Sequence, residues 1–228
     1  MLKLALFDLD DTLYGAATGL WAAIGQRIDL YMTERVGLEA SATVALRRHY
    51  LETFGTTLNG LRQEYGIDPA DYLAFVHDLP LEHYLQPSPL LDQMLRRLPL
   101  RKVVFTNADA AHARRVLERL GIAAHFATIF DVNALEFINK PDPRAYRRVL
   151  ALTQVQAAEC VFVDDAVRNL LPAHALGMRT VLVRSPDSVL PAGVDHRIDS
   201  ILELEGLLQP HLPRPAGAAA STQREAAA

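Results

Sequence analysis

Short apolar runs alternate with helix-like sequence along most of this 228-residue chain. A run of four or five apolar residues without polar alternation is typical of a parallel strand that is buried on both faces. Each run is followed by a helical pattern or by loop residues, and this alternation predicts a doubly wound α/β fold with a mostly parallel sheet. The predicted strands cover residues 4–7, 102–106, 126–130, 160–163 and 180–183.

Residues that begin or end helices stand where such a fold needs them. Gly121 and Gly177 each follow a helical pattern, at the position where a left-handed cap ends a helix. Pro143 suits the first position of a helix, and Ser200 forms a capping box with Glu203 before another. We therefore expect helices between and after the strands.

The segment after the first strand has a different pattern. Residues 15–85 contain no β-rich run, and they show Leu, Ala, Tyr and Arg at helical spacing over 20–36, 42–54 and 70–76. An insert at this point is expected to lie over the carboxyl edge of the sheet, where open α/β sheets bind ligands. The predicted organisation is a core of residues 1–14 and 86–212, a helical cap of residues 15–85 and a disordered tail of residues 213–228.

Composition narrows the possible partners and the compartment. The net charge of −4 and the lack of a long basic run disfavour a nucleic acid polymer, but they allow a small phosphorylated metabolite. Cys160 is the single cysteine and fits a reducing compartment. No signal peptide and no membrane-spanning stretch is evident, so a cytoplasmic protein that does not contact a membrane is expected. Gly-rich phosphate loops are also absent.

Acidic residues follow the first predicted strand. Asp8, Asp10 and Asp11 precede Thr12, and so many carboxylates at a buried strand end repel one another unless a cation joins them. Mg²⁺ would meet this need, with one carboxylate attacking phosphorus and the other handling protons. A calcium loop is excluded because Leu13 stands where it requires a glycine, but an ordinary acidic turn remains an alternative.

Polar residues also follow two later strands, and the ends of parallel strands lie side by side. Thr106 and Asn107 can donate to phosphoryl oxygens at a helix N-terminus, or they can simply cap that helix. Asp164 and Asp165 form a second acidic pair, of which a helix cap would explain only one. We therefore favour metal binding for the acidic pair.

Two further residues are candidates for the same site. Lys140, held in an extended segment by the proline that follows, can neutralise a transferring phosphoryl group, although most lysines are solvated at the surface. Asn169 can support the acidic pair through hydrogen bonds, although an exposed helix asparagine is the commoner case.

Taken in order, these motifs resemble the four motifs of haloacid dehalogenase-like (HAD) hydrolases, and the insert resembles the helical type 1 cap of that superfamily. The resemblance implies that Asp8 is the nucleophile and that Asp10 is the acid and base. It also implies Mg²⁺ as cofactor, held by the Asp8 carboxylate, the Asp10 carbonyl and either Asp164 or Asp165. Thr106 and Lys140 would stabilise the transferring phosphoryl group.

Segments 7–14, 55–61, 105–108 and 162–165 are similar to the pyrimidine 5'-nucleotidase branch, which implies UMP or CMP as substrate. The candidate contacts to the nucleoside are Tyr14, Tyr50, Thr57, Asn59 and Arg62, of which Tyr14 and Tyr50 have a packing role as alternative. A generalist or sugar-phosphate phosphatase, a phosphomutase and an inactive binding protein remain alternatives. Either a monomer or a homodimer is compatible with the sequence.

Overall fold

A computed structural model describes residues 1–183 and 189–212, and within these residues the chain forms one six-stranded sheet. The strands pair in parallel, in the order β3-β2-β1-β4-β5-β6. The α/β fold with a parallel sheet is therefore confirmed. The strands are β1 (Leu4–Phe7), β2 (Arg101–Phe105), β3 (Phe126–Phe130), β4 (Cys160–Asp164), β5 (Arg179–Val183) and β6 (His196–Ile198).

The strand order places a crevice above β1. The chain moves from β1 outward through β2 and β3, then returns to the other side of β1 and continues through β4 to β6. Open α/β sheets bind ligands at such a reversal, outside the carboxyl ends of the strands. Asp8 follows β1 directly, and Asp164 is the last residue of β4.

Successive residues of β1 face opposite sides of the sheet, as the strand repeat of two residues requires. Ala5 and Phe7 pack in one buried cluster, whereas Leu4 and Leu6 pack in another. Helices cover both faces of the sheet. Those after β1 and outside the insert are α5 (Pro89–Arg97), α6 (Ala110–Leu120), α7 (Pro143–Thr153), α8 (Val167–Ala175) and α9 (Leu204–Leu208).

The helices of the insert between β1 and β2 share a third buried cluster, which also includes Val132 of the core. Tyr31, Tyr50, Leu61, Tyr72 and Val76 belong to this cluster. The helices of the insert are α1 (Leu20–Glu34), α2 (Ala40–Thr53), α3 (Thr57–Tyr65) and α4 (Pro69–His77). We call residues 15–85 the cap segment.

The helix-ending residues act as predicted. Gly121 and Gly177 have positive φ angles of 75° and 89°. Pro143 is the first residue of α7, and the Ser200–Glu203 capping box is present before a short 3₁₀ turn. Among the described residues, no helix combines the length and apolarity needed to cross a bilayer. The predicted tail, residues 213–228, lies outside the described residues.

Candidate active site

Three carboxylates meet at the carboxyl ends of β1 and β4. These strands are neighbours, with Phe7 paired to Val163, so the residues that follow them lie side by side. Oxygens of Asp8, Asp164 and Asp165 lie within 4.8 Å of one another. The carboxylates therefore share one small space, although Asp165 is more than 150 residues from Asp8 in the sequence.

Lys140 joins two of these carboxylates. Its ammonium nitrogen lies 2.7 Å from Asp8 Oδ1 and 2.8 Å from Asp164 Oδ2. The residue is only 1% exposed, so the alternative of a solvated surface lysine is wrong. Asn107 holds the backbone of Lys140 on both sides: its Oδ1 accepts from Lys140 N, and its Nδ2 donates to Lys140 O. Asn107 thus fixes the lysine that bridges the cluster.

Neutral groups contact further oxygens of the three carboxylates. Asn169 Nδ2 lies 3.0 Å from each oxygen of Asp164, and Ala166 N donates to Asp164 Oδ1. Asn169 is buried, so the alternative of an exposed helix asparagine is wrong. The Thr12 hydroxyl lies 3.2 Å from Asp8 Oδ2 and 3.0 Å from Asp165 Oδ1. These contacts fix the directions in which the carboxylates point.

The charges of this cluster do not balance. Burial, together with the charges of Asp164 and Asp165, raises the pKa of Asp8 well above its usual value despite Lys140. Burial and Asp164 raise the pKa of Asp165 to about 6. For Lys140, burial lowers the pKa, but the Asp164 and Asp8 carboxylates outweigh it and raise the pKa. Three ionised carboxylates and one ammonium group leave two negative charges, and a divalent cation with a preference for oxygen ligands would neutralise them.

Asp10 points into a different set of contacts. Its Oδ1 lies 2.6 Å from the Tyr14 hydroxyl and 2.8 Å from His112 Nε2. Burial raises the pKa of Asp10, but the contacts with His112 and Tyr14 outweigh this effect and hold the pKa below its usual value. His112 is not among the site residues predicted from the sequence. Its spacing from Val116, four residues on, was the available signal, because it places both side chains on one buried face of α6.

Thr106 and Asn107 do not cap the following helix. Asp109 is the N-cap of α6, and its side chain accepts from Ala111 N and His112 N. The Thr106 hydroxyl accepts from Ala108 N and lines the same space as Asp8. Thr106 is therefore placed beside the carboxylates by the turn between β2 and α6.

A cavity of about 180 Å³ lies between the cap segment and the carboxylates. Asp8, Asp10, Thr106 and Lys140 line its floor, and Thr57 lines it from the cap segment. Most of the other lining side chains are apolar. The cap residues of this kind are Trp21, Ile24, Ile28, Leu51, Leu58, Tyr72, Leu73 and Val76.

The other candidate nucleoside contacts lie elsewhere. Tyr50 is fully buried in the cap cluster and donates to Glu64, which is the packing role given as its alternative. Tyr14 donates to Asp10. Asn59 donates to the Phe137 carbonyl.

Arg62 completes this contact between the cap segment and the core. Its guanidinium carbon lies 3.8 Å from the centre of the Phe137 ring, and its Nη1 donates to Asn59. Asn59 also donates to Asn139, which precedes Lys140. In this structure, Asn59 and Arg62 therefore join α3 to the loop that carries Lys140.

Comparison with known proteins identifies relatives of this chain. The sequence profile of haloacid dehalogenase-like hydrolases matches residues 2–177, which is most of the chain. The chain belongs to this family. Among relatives of this haloacid dehalogenase-like hydrolase, phosphate metabolism protein 8 of Saccharomyces cerevisiae is 30% identical over 79% of the chain. The match covers 61% of the yeast protein's length. A phosphoglycolate phosphatase of Pectobacterium atrosepticum is 28% identical over 77% of each protein.

Solved structures show the same fold at low sequence identity. A HAD phosphatase from Thermococcus onnurineus has a TM-score of 0.64 and is 18% identical, with 91% of this haloacid dehalogenase-like hydrolase and 98% of the archaeal chain covered. CbbY from Rhodobacter sphaeroides, solved in complex with phosphate, has a TM-score of 0.64 and is 20% identical. The match covers 90% of this chain and 96% of the CbbY chain.

Proposed function

We propose that this hydrolase is a Mg²⁺-dependent phosphomonoesterase that works through an aspartyl-phosphate on Asp8. The observation that carries the proposal is the cluster of Asp8, Asp164 and Asp165 oxygens within 4.8 Å, bridged by the Lys140 ammonium group. A phosphorylated substrate brings further negative charge to these carboxylates. Cations must compensate that charge, and Lys140 and a bound metal ion would do so. Relatives named phosphoglycolate phosphatase support phosphoryl chemistry.

The carboxylates also fit the cofactor, because the hard oxygen ligands that Mg²⁺ prefers are the groups present. The Asp8 carboxylate, the Asp10 carbonyl and Asp164 or Asp165 would hold the ion. When bound, Mg²⁺ neutralises negative charge on the phosphoryl oxygens and orients them.

The proposed reaction has two steps. In the first, an Asp8 oxygen forms a bond to phosphorus and the bond to the leaving oxygen breaks. Asp10, which takes up a proton as the anionic phosphate binds beside it, gives that proton to the leaving oxygen. In the second, Asp10 takes a proton from water as the water attacks phosphorus, and the bond to Asp8 breaks to release phosphate. Lys140 and Thr106 stabilise the phosphoryl charge throughout.

For the leaving group, we propose a pyrimidine nucleoside, so that UMP and CMP are the preferred substrates. The similarity of segment 55–61 to the pyrimidine 5'-nucleotidase branch supports this choice, and Thr57 of that segment lines the cavity. The apolar lining suits an uncharged, planar base. Trp21 lines the cavity and is 49% exposed, which marks the side where a nucleoside would extend toward solvent.

One observation favours a second candidate. The cavity volume of about 180 Å³ is smaller than the roughly 300–1,000 Å³ of typical ligand pockets, so the cavity holds a smaller leaving group more readily than a whole nucleoside. A small phosphorylated acid or sugar is therefore the alternative substrate class. Arg47 and Arg168 line the cavity and would suit an acid.

A substrate panel tests both levels of the proposal. Phosphate release is measured from p-nitrophenyl phosphate, UMP, CMP, AMP, 2-phosphoglycolate and glucose 6-phosphate, with Mg²⁺ or with EDTA. We expect activity that requires Mg²⁺, highest kcat/KM for UMP and CMP, and loss of at least about a thousandfold in the folded variant Asp8→Asn. Highest activity on 2-phosphoglycolate or sugar phosphate would support the second candidate.

Other results would contradict the central proposal. Retained phosphatase activity in Asp8→Asn would show that Asp8 is not the nucleophile. No phosphate release with any divalent metal would favour a binding protein. A bisphosphate intermediate accumulating with a sugar phosphate would favour a phosphomutase.

A further inference from the structure

Asp10, the proposed acid and base, is held by hydrogen bonds to one of its two carboxylate oxygens. Both contacts that the described residues make to the Asp10 carboxylate, from Tyr14 and from His112, fall on Oδ1. An acid in this position works only if its other oxygen faces the leaving group. The direction of the Asp10 carboxylate is therefore set by the residues that hold Oδ1.

His112 is itself held rigidly. Its backbone N–H donates to Asp109 Oδ1, and its ring stacks on that of His77 with 4.1 Å between ring centres and 13° between planes. The second oxygen of Asp109 lies 2.7 Å from His77 Nδ1. Asp109 thus fixes both histidines. Of the two, His112 contacts Asp10, and His77 is linked to Asp10 through its stack on His112.

This chain of contacts crosses from the core to the cap segment. His77 is the last residue of α4, whereas Asp109 and His112 lie at the start of α6. Arg115 strengthens the junction, because its guanidinium group donates to the carbonyls of His77 and Leu79. The ring stack therefore requires that the end of α4 lie against α6.

A packing role alone does not explain His112. The side chain is buried, and its Nδ1 has no hydrogen-bond partner among the described residues. A buried polar group without a partner lowers the stability of the folded protein, and an apolar side chain of similar size avoids this cost. The contact with Asp10 is what a leucine at this position would lack.

We propose that His112 is a positioning residue that holds Asp10 Oδ1, leaves Oδ2 to exchange the proton, and does so only while His77 of the cap segment is stacked on it. This inference rests on the proposed role of Asp10 as acid and base. It assigns to the end of α4 a function in catalysis that is separate from choosing the leaving group.

Leaving groups of different basicity test this role. The departure of p-nitrophenolate needs little protonation, whereas the alkoxide of UMP needs a proton from Asp10. We expect His112→Leu to lose at least about tenfold more kcat/KM on UMP than on p-nitrophenyl phosphate, with KM for UMP nearly unchanged. His112→Gln should recover most of this selective loss, because its amide nitrogen replaces Nε2 as the donor.

Variants of His77 test the link to the cap segment. His77→Phe keeps an aromatic ring against His112 and should retain selectivity for UMP near that of the wild type. His77→Leu removes the stack and should show the selective loss of His112→Leu. The matched control is His125→Leu, because His125 also pairs with a carboxylate, Asp92, at 2.7 Å but outside the site. This control variant should leave kcat/KM unchanged for both UMP and p-nitrophenyl phosphate.

The outcomes separate this inference from the proposed function. Equal losses on both substrates in folded His112→Leu and His112→Gln, or no loss in either, would overturn the positioning role and leave the phosphatase proposal standing. If the wild type hydrolyses p-nitrophenyl phosphate but not UMP, the best alkyl phosphate of the substrate panel replaces UMP, because every alkoxide leaving group needs the proton. A wild-type protein inactive on all of these substrates would overturn the proposed function and this inference with it. Thermal melting of each variant shows whether it folds. If His112→Leu does not fold, the comparison of His112→Gln with His77→Leu decides.

Discussion

Lys140 takes part in the site through its charge as much as through its contacts. It is buried between Asp8 and Asp164, and its ammonium group contacts both of these carboxylates in the cluster of three. Removing one partner of a buried ion pair leaves an uncompensated charge, which costs about 3–5 kcal/mol. Any other cation in the cluster should therefore substitute for part of this effect.

Lys140→Met should lower the free energy of unfolding by about 3 kcal/mol in EDTA at neutral pH, because three carboxylates then repel one another. Saturating Mg²⁺ should raise the stability of this variant more than that of the wild type, yet phosphatase activity should stay low. Urea denaturation with and without Mg²⁺ measures the first effect. Phosphate release measures the second.

Lys102 offers a matched control for this prediction. It is also buried, but its ammonium group donates to the carbonyls of Leu98 and Leu100. Lys102→Met should gain the same stability from Mg²⁺ as the wild type. An equal Mg²⁺ effect in Lys140→Met and the wild type would contradict the charge balance described for the cluster.

Single residues differ in how far the sequence reveals their positions. Asp8, Asp164 and Lys140 lie at or near the ends of regular elements, so the geometry of a parallel sheet brings them together. His112 lies inside a helix, and its partner Asp10 is more than 100 residues away in the sequence. Helical spacing shows that such a residue is buried, but it does not show which carboxylate it meets. The contact depends on how α6 packs against β1.

At the level of elements, apolar runs identified β1 to β5 to within one residue at either end. The sequence analysis missed β6 because it has only three residues, His196, Arg197 and Ile198, and only Ile198 is buried. A strand that short at the sheet edge has no periodic signal. The role of α3 was also not readable, because a polar side chain on the cap segment looks the same whether it faces a substrate or the core.

The start of α3 meets the Lys140 loop at Gly55. This residue has φ of 79°, and a Cβ added there would lie 2.4 Å from Asn139 Nδ2 and 3.3 Å from the Lys140 carbonyl oxygen. Gly55→Ala should therefore displace the Lys140 loop and lower kcat by about tenfold or more on every phosphomonoester. Steady-state kinetics on aryl and alkyl phosphates measure this loss.

Gly66→Ala is the control for backbone strain at Gly55. Gly66 also has a positive φ, of 62°, but a Cβ there meets nothing within 4 Å. This variant should lose about 1 kcal/mol of stability from the left-handed conformation, with kcat unchanged. If both variants lost activity equally, displacement of the Lys140 loop would not be the cause.

At the scale of the whole molecule, the carboxylate cluster makes stability depend on pH and metal together. Asp165 has a folded pKa of about 6, above its ordinary value of 3.8, and the pKa of Asp8 is also raised. At pH values between the ordinary pKa of 3.8 and the folded pKa of about 6, the folded protein binds more protons than the unfolded chain. The stability of the metal-free protein therefore falls as the pH rises through this range. Mg²⁺ binds the ionised carboxylates, so its stabilising effect should grow over the same range.

Thermal melting with Mg²⁺ and with EDTA tests this coupling. At about pH 7.5, Mg²⁺ at about 100 times its Kd should add about 2.7 kcal/mol, or about 5–10 °C in Tm for a chain of this size. At about pH 5 the same Mg²⁺ concentration should add much less, because protons compete for Asp8 and Asp165. Asp92, whose carboxylate pairs with Arg96 and His125 away from the cluster, is the control, and Asp92→Asn should keep this pH dependence. An equal Mg²⁺ shift at both pH values would mean that the cluster does not hold the ion.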